Sequence, residues 1–177
     1  TAATRVIVQD GIYDQMVAAL AEETRRSAIT GAPDDPATVF GPLNNVNQFD
    51  HVRELIESLP SHARVVTGGK RHGDRGYFHQ ATVVADVEQS DRIVQEEIFG
   101  PVVTVQRFSS EKQAIVMAND VAFGLSSSVW TSDHSRALRL SSALDFGCVW
   151  INTHIPVVAE MPHGGFKHSG YGKDLSS

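Results

Sequence analysis

The sequence lacks the features that mark membrane-spanning and nucleic-acid-binding proteins. No apolar run approaches the roughly 20 residues that a membrane-spanning helix needs. The formal net charge is −6, and lysine and arginine are scattered without the basic, aromatic-rich stripe that binds nucleic acid. We therefore expect neither a membrane nor a nucleic acid among the partners of this protein.

Cysteine is almost absent, since Cys148 is the only one in the chain. A single thiol can form neither an intramolecular disulfide nor a multi-cysteine metal site, which is typical of the reducing cytoplasm. Cys148 lies in the apolar strand pattern GCVWIN, without a neighbouring cation that would lower its pKa. We interpret it as a small buried residue rather than a nucleophile, and we predict a cytoplasmic location.

The common phosphate-binding loops are also missing. Neither G-x-x-x-x-G-K-[ST] nor a G-x-G-x-x-G after the first strand occurs, so the phosphates of any dinucleotide would be held elsewhere. His154, His163 and His168 lie near one another in the chain, but no helical histidine pair with a glutamate accompanies them. We expect no zinc site.

What the chain does contain is an alternation of strands and helices. Hydrophobic residues make up 41% and charged residues 20%, an ordinary globular composition. From residue 102 to residue 152 the alternation is βαβαβ, which favours a three-layer α/β domain with a mostly parallel sheet. The apolar patterns predict strands at residues 4–8, 64–66, 78–84, 102–108, 126–131 and 147–152, helices at 12–29, 45–58, 110 onwards and 133–144, and a charged turn or hairpin at 67–76.

The segment VQEEIFGPVV, residues 94–103, combines two carboxylates with an aromatic ring and a Gly-Pro turn. An ionised carboxylate can accept hydrogen bonds from both vicinal hydroxyls of a ribose, and a flat ring suits a nicotinamide. In an extended segment Glu97 and Phe99 would project to the same side, because side chains alternate. The alternative is a charged turn with a core phenylalanine, and spacing alone favours that alternative.

The same segment resembles the E-E-x-F-G-P motif of the aldehyde dehydrogenase superfamily. With this segment included, five ordered motifs span essentially the whole chain. The resemblance therefore implies the α/β fold of the family's catalytic domain. The other four segments that agree with the family in order and spacing are GPLNNVNQFD (41–50), ANDVAFGLSSSVWT (118–131), GCVWIN (147–152) and PHGGFKHSGYGKD (162–174).

The resemblance further implies that residues 1–177 are one part of a larger enzyme. In this family the nucleophilic cysteine directly precedes a T-A-A-T-R-like segment, and this chain begins TAATR. We expect the catalytic domain without that cysteine, without the upstream cofactor-binding domain and without the C-terminal oligomerisation strand. In the family, the thiolate attacks the aldehyde, a hydride passes to the nicotinamide, and water hydrolyses the thioester. The chain alone is then expected to be inactive, and the complete protein to be a homo-oligomer, a dimer or tetramer.

Residue by residue, the resemblance implies contacts with the cofactor and with an ion. Glu97 matches the family's ribose-binding glutamate, and Phe99 matches the aromatic residue beside the nicotinamide of NAD or NADP. Gln48 matches a residue near the nucleotide of the cofactor. Lys167 and Gly170 match positions whose backbone carbonyls bind a structural monovalent cation in some members.

The resemblance also implies roles at the aldehyde. Asp174 matches a glutamate near a proton-relay lysine, although the aspartate is one methylene shorter. The segment WINTHIPVVAEMPHGG is similar to γ-aminobutyraldehyde dehydrogenases and other aminoaldehyde dehydrogenases. Val157 and His163 match positions that line the aldehyde tunnel. Glu160 adds a carboxylate that would favour an ω-amino aldehyde such as 4-aminobutanal, although a solvated loop charge is an equal interpretation.

Two other functions remain open from the sequence. A CoA-acylating semialdehyde dehydrogenase would share these motifs, and assays with and without CoA would separate it from a hydrolytic enzyme. A stand-alone binding or assembly module would have no catalysis at all.

Overall fold

The computed structural model describes residues 2–175 and divides them into two compact units. We call residues 4–109 the N-terminal unit, and residues 2–3 with 110–175 the C-terminal unit. Within the described range, no helix is long and apolar enough to cross a membrane.

The N-terminal unit is a four-stranded mixed sheet with helices. The strand order is β1-β4-β3-β2, in which β4 is parallel to both of its neighbours and β2 is antiparallel to β3. In chain order the elements are β1 (Arg5–Gln9), α1 (Tyr13–Ser27), α2 (Val46–Glu57), β2 (Arg64–Thr67), β3 (Thr82–Ala85), α3 (Arg92–Gln95) and β4 (Val102–Phe108).

Strand β3 divides the core of this unit into two clusters. All four of its residues are buried, and because side chains alternate along a strand they face opposite sides of the sheet. Val84 packs in one cluster with residues of α2 and α3, whereas Val83 and Ala85 pack in the other with Tyr13 and Val17 of α1. The sheet is therefore covered on both faces, and the predicted three-layer α/β arrangement is confirmed for this unit.

The C-terminal unit contains two small sheets. Strands β6 and β7 are parallel, and β5 and β8 are antiparallel. Local capping signals fix the two helices: the Ser110 hydroxyl accepts a hydrogen bond from Gln113 N (3.2 Å), and the Asp133 carboxylate accepts one from Arg136 N (2.9 Å). The elements are α4 (Glu111–Asn119), β5 (Phe123–Gly124), β6 (Ser126–Val129), α5 (His134–Ala143), β7 (Cys148–Ile151) and β8 (Phe166–Lys167).

One predicted pairing is wrong. The βαβαβ pattern suggested that β4, β6 and β7 belong to one sheet, but β4 lies in the N-terminal unit and β6 pairs with β7. The reason is that both edges of β4 already pair, one with β1 and the other with β3. The predicted strand at 78–84 is shorter than expected and begins at Thr82. The residues before it complete a hairpin with the 67–76 segment, through His72 N to Phe78 O (2.9 Å).

Burial of His79 gives this unit a pH-dependent stability. The His79 ring is 2% exposed, packs edge-on against Phe49 and places Nδ1 2.9 Å from the Gln80 carbonyl oxygen. Desolvation lowers the pKa of His79 below its usual value of 6.5. The unfolded state therefore takes up a proton first as the pH falls below about 6.5, and the free energy of unfolding declines from there until the pH passes the folded pKa.

We expect His79→Asn to reduce the loss of unfolding free energy at acidic pH by up to about 1.4 kcal/mol per pH unit. The reason is that the variant lacks the buried histidine that resists protonation in the folded state. Denaturant midpoints of the complete protein between pH 5 and pH 8 measure this. The exposed His72→Asn is the matched control. His62 changes the pH dependence of stability in the opposite direction, because its hydrogen bond to Asp91 raises the pKa of His62. The informative quantity is therefore the difference in pH slope between the His79→Asn and His72→Asn variants. Equal pH slopes for the two variants would contradict the prediction.

Candidate functional site

The two adjacent glutamates of the EEIFGP loop (residues 96–101) have different surroundings. The Glu96 carboxylate pairs with Arg92 at 2.6 Å, and Arg92 also pairs with Glu54 of α2 at 2.6 Å. These contacts raise the pKa of the guanidinium and hold α3 against α2. Glu97 is exposed, and no hydrogen bond or ion pair to another part of residues 2–175 occupies its carboxylate. Glu97 is therefore the carboxylate available to a ligand.

Phe99 is exposed rather than buried. Its side chain is 70% exposed, whereas Ile98 before it is 3% exposed and belongs to the α2–α3 core cluster. The alternative interpretation of a core phenylalanine is therefore wrong. Phe99 also has a left-handed backbone (φ 49°), so the segment is not the regular extended strand that the alternation argument assumed. Such a conformation costs a non-glycine residue about 1–3 kcal/mol and persists only where its surroundings impose it.

Helix α2 supplies those surroundings. The Gln48 side-chain amide donates hydrogen bonds to the carbonyl oxygens of Ile98 (2.7 Å) and Phe99 (3.0 Å). Gly100 lies so close to the helix that a Cβ there would come within 2.6 Å of Val52 Cγ2. Both amide protons of Gln48 are thus used to hold the loop that carries Glu97 and Phe99, a role that the motif alone did not reveal.

The predicted aldehyde residues lie in the C-terminal unit. Val157 (53% exposed) and Glu160 (exposed) belong to the β7–β8 loop, residues 152–165. His163 and Asp174 are brought together by a backbone bridge, His163 N to Asp174 O at 2.7 Å and Asp174 N to His163 O at 2.8 Å. One Asp174 carboxylate oxygen accepts from Leu175 N at 3.0 Å. Relay through Asp174 remains a prediction.

Lys167 uses its ammonium in a way that the sequence did not indicate. Its Nζ donates to the carbonyl oxygens of Asn119 (2.7 Å) and Val121 (3.3 Å), at and just beyond the C-terminus of α4. A cation there satisfies helix-terminal carbonyls and complements the helix dipole. The carbonyl of Lys167 accepts a long hydrogen bond from Gly170 N (3.4 Å). Binding of a monovalent cation by the two carbonyls stays a prediction.

The glycines of the C-terminal motif allow backbone segments to stack directly. A Cβ on Gly147 would lie 1.7 Å from the carbonyl oxygen of Gly164, and a Cβ on Gly164 would lie 2.2 Å from that of Gly172. Lys173 Nζ closes the motif by donating to the Gly165 carbonyl oxygen at 2.6 Å. Residues with side chains do not fit at the first two of these glycines without a backbone shift.

Cys148 does not have the surroundings of a nucleophile. It is partly buried, and desolvation raises the pKa of its thiol. Because the thiolate is the nucleophilic form, a raised pKa makes the side chain less reactive at neutral pH. The interpretation of Cys148 as a small packing residue is supported.

The family model described as the aldehyde dehydrogenase family matches residues 1–177, the whole chain. The chain belongs to the aldehyde dehydrogenase family. The predicted family is thereby confirmed.

Several characterised aldehyde dehydrogenases are similar to this chain. An aldehyde dehydrogenase of Emericella nidulans is 44% identical over an alignment of 177 positions, which covers 99% of this chain and 35% of that protein. Retinal dehydrogenase 2 of Mus musculus is 41% identical over 176 residues, 99% of this chain and 34% of that protein. Betaine aldehyde dehydrogenase of Bacillus subtilis is 38% identical over an alignment of 180 positions, which covers 99% of this chain and 36% of that protein. The chain thus spans about a third of the length of these relatives.

A solved aldehyde dehydrogenase has the same fold. The betaine aldehyde dehydrogenase of Staphylococcus aureus, solved in complex with NAD+, superposes with a TM-score of 0.91 at 37% identity. The match covers 98% of this chain and 35% of that one. The predicted α/β fold of the aldehyde dehydrogenases is therefore confirmed. The names of these relatives give different substrates, betaine aldehyde and retinal. They do not support the narrower resemblance to γ-aminobutyraldehyde dehydrogenases.

Proposed function

We propose that the complete protein containing this chain oxidises an aldehyde to the carboxylate with NAD or NADP. The observation that carries this proposal is a contrast in the EEIFGP loop. Glu96 is held in an ion pair with Arg92, whereas the exposed Glu97 carboxylate has no partner within residues 2–175 and comes two residues before the exposed Phe99 ring. Family membership and the NAD+ complex of the Staphylococcus aureus relative support the cofactor class.

The residues of this chain fit a nicotinamide cofactor. A free carboxylate can accept hydrogen bonds from the two ribose hydroxyls, and an exposed ring offers a flat apolar wall to the nicotinamide. Contacts with Gln48 and Val52 fix the backbone that carries both groups. Binding of the cofactor therefore costs little further backbone conformational entropy. A bound nicotinamide cofactor would supply the hydride acceptor; Glu97 would hold its ribose and Phe99 would pack against its nicotinamide ring.

The nucleophile is proposed to come from polypeptide outside residues 1–177. Cys148, the only cysteine of the chain, is partly buried and has a raised pKa, which argues against it. We propose on the family resemblance that a cofactor-binding domain lies elsewhere in the complete protein and that the protein is a homo-oligomer. A cytoplasmic location is proposed because the chain has a single cysteine. Asp174 is proposed as a relay group, and the carbonyls of Lys167 and Gly170 as ligands of a monovalent cation.

We propose an ω-amino aldehyde, such as 4-aminobutanal, as the substrate. Glu160 is an exposed carboxylate in the same loop as Val157 and three residues before His163, so an ammonium on the far end of the substrate would find a counter-charge. An exposed pair of this kind is worth only about 0.2–1 kcal/mol, so the discrimination is expected to be modest.

The test compares 4-aminobutanal with pentanal, which replaces the ammonium by a methyl group. In the complete protein we expect Glu160→Gln to lower kcat/KM for 4-aminobutanal about twofold to fivefold and to leave pentanal unchanged. Equal effects on both aldehydes would contradict the role of Glu160. Absence of NAD(P)-dependent oxidation across a panel of aldehydes would overturn the proposed function, and dependence on CoA would indicate the acylating reaction.

A further inference from the structure

The first half of the β7–β8 loop, residues 152–158, is tied to the two parallel strands by its own hydrogen bonds. The Asn152 side chain donates to the Thr131 carbonyl oxygen (2.9 Å) and accepts from Thr131 N (2.8 Å). The indole N–H of Trp150 donates to the Pro156 carbonyl oxygen at 2.8 Å. Val157, a proposed aldehyde-lining residue, directly follows this last contact.

A serine and a histidine complete the attachment. Ser128 of β6 stands in register with Trp150 of β7, and its hydroxyl makes a short hydrogen bond to His154 Nδ1. The imidazole packs edge-on against the Trp150 ring, with 4.9 Å between centroids. The other ring nitrogen, Nε2, is buried and has no hydrogen-bond partner anywhere in residues 2–175. The only polar contact of the His154 ring in that range is therefore the one with Ser128.

The loop backbone needs such restraints. Ile155, immediately after His154, has a left-handed conformation (φ 80°), which a β-branched residue adopts only under constraint. Asn152 is also left-handed (φ 52°), at the point where the chain leaves β7. The hydrogen bonds of Ser128 and Trp150 flank Ile155 on both sides and can hold it there.

We propose that the Ser128–His154 hydrogen bond is a positioning pair that sets the loop, and with it Val157 and Glu160, for binding of the aldehyde. This inference rests on the proposed function, in which that loop lines the aldehyde site. The pair acts on substrate binding through loop geometry, and neither side chain is a catalytic acid or base. Ser128 and His154 are 26 residues apart, and no local sequence pattern links them.

The first test uses Ser128→Ala in the complete protein, with Ser127→Ala as the matched control. The Ser127 hydroxyl is buried on the same strand without a partner among the described residues, so its loss removes no hydrogen bond. We expect Ser128→Ala to raise KM for 4-aminobutanal about threefold to tenfold, with kcat at saturation within about twofold of wild type. Ser128→Thr retains a hydroxyl and should restore KM.

The second test uses the partner. His154→Phe keeps a ring against Trp150 but cannot accept or donate a hydrogen bond. If the pair acts as a unit, the double variant Ser128→Ala/His154→Phe should be no worse than the more affected single variant. Additive effects, or a fall in kcat with KM unchanged, would overturn the proposal.

A third measurement does not depend on aldehyde oxidation. Hydrogen exchange of residues 152–158 should be faster in Ser128→Ala than in Ser127→Ala or Ser128→Thr. Faster exchange without any aldehyde activity in the wild-type protein would overturn the proposed function while leaving the loop attachment intact. Unchanged exchange in Ser128→Ala would overturn the positioning role itself.

Discussion

Glu97→Gln is expected to slow hydride transfer in the complete protein by about tenfold to a hundredfold, measured as the single-turnover rate of NAD(P)H formation. The substitution keeps the size of the side chain and removes its charge. A hydrogen bond to a charged group contributes about 1.5–3 kcal/mol, and each 1.4 kcal/mol corresponds to a factor of ten. The effect should be large because, within residues 2–175, nothing else already satisfies this carboxylate.

Glu96→Gln is the matched control. It makes the same chemical change one residue earlier, at the carboxylate that pairs with Arg92. Because that pair is largely exposed, its loss should leave the rate of hydride transfer within about twofold of the wild-type rate. It should lower the free energy of unfolding by no more than about 1 kcal/mol. A Glu97→Gln enzyme with an unchanged single-turnover rate, or a Glu96→Gln enzyme that is equally impaired, would contradict the assignment of Glu97 to the ribose.

Gly147→Ala is expected to destabilise the C-terminal unit by about 3 kcal/mol or more, at the upper end of the range for overpacking. The new methyl group would lie 1.7 Å from the Gly164 carbonyl oxygen, and the atom in its way is backbone rather than the flexible end of a side chain. Gly164 is itself packed closely against backbone, since a Cβ built there would lie 2.2 Å from the Gly172 carbonyl oxygen. The denaturant midpoint of the complete protein measures the loss.

Gly172→Ala provides the comparison. Apart from its own residue and its two neighbours in the chain, no described atom lies within 4 Å of a Cβ built at Gly172, and its backbone does not have a positive φ. The same one-carbon addition should therefore change stability by less than about 0.5 kcal/mol. If Gly147→Ala and Gly172→Ala have the same midpoint, the close stacking of these backbone segments is not what makes glycine necessary at residue 147.

Local sequence signals predicted the local structure of this chain well. The helices predicted from residues 110 and 133 do begin there, with Ser110 and Asp133 as their N-caps, because an N-cap is decided within three residues of sequence. The two long helices of the N-terminal unit end within two residues of their predicted bounds, since their apolar periodicity spans several turns. The short elements α3, β5 and β8 were missed, because two to four residues are too few to show a period.

Contacts between distant residues could not be predicted in this way. Which strands flank β4 depends on pairings between residues far apart in the sequence, such as Arg5 of β1 with Thr104 of β4. Arg92, which pairs locally with Glu96, also pairs with Glu54 of α2, 38 positions away, and no motif indicates that contact. The motif predicts Glu97 and Phe99 as cofactor-binding residues, which stays a prediction, and the geometry adds that Gln48 holds the loop backbone at Ile98 and Phe99.

Under the proposed contact of Phe99 with the nicotinamide, its left-handed backbone makes the amino acid that favours stability differ from the amino acid that favours turnover. Glycine adopts φ 49° without steric strain, and asparagine does so more readily than an aromatic residue. A library randomised at this codon and selected only for survival of heating would drift towards those two amino acids. Selection for growth on the aldehyde would instead retain an aromatic residue. The sequences recovered from the two selections would therefore differ at residue 99.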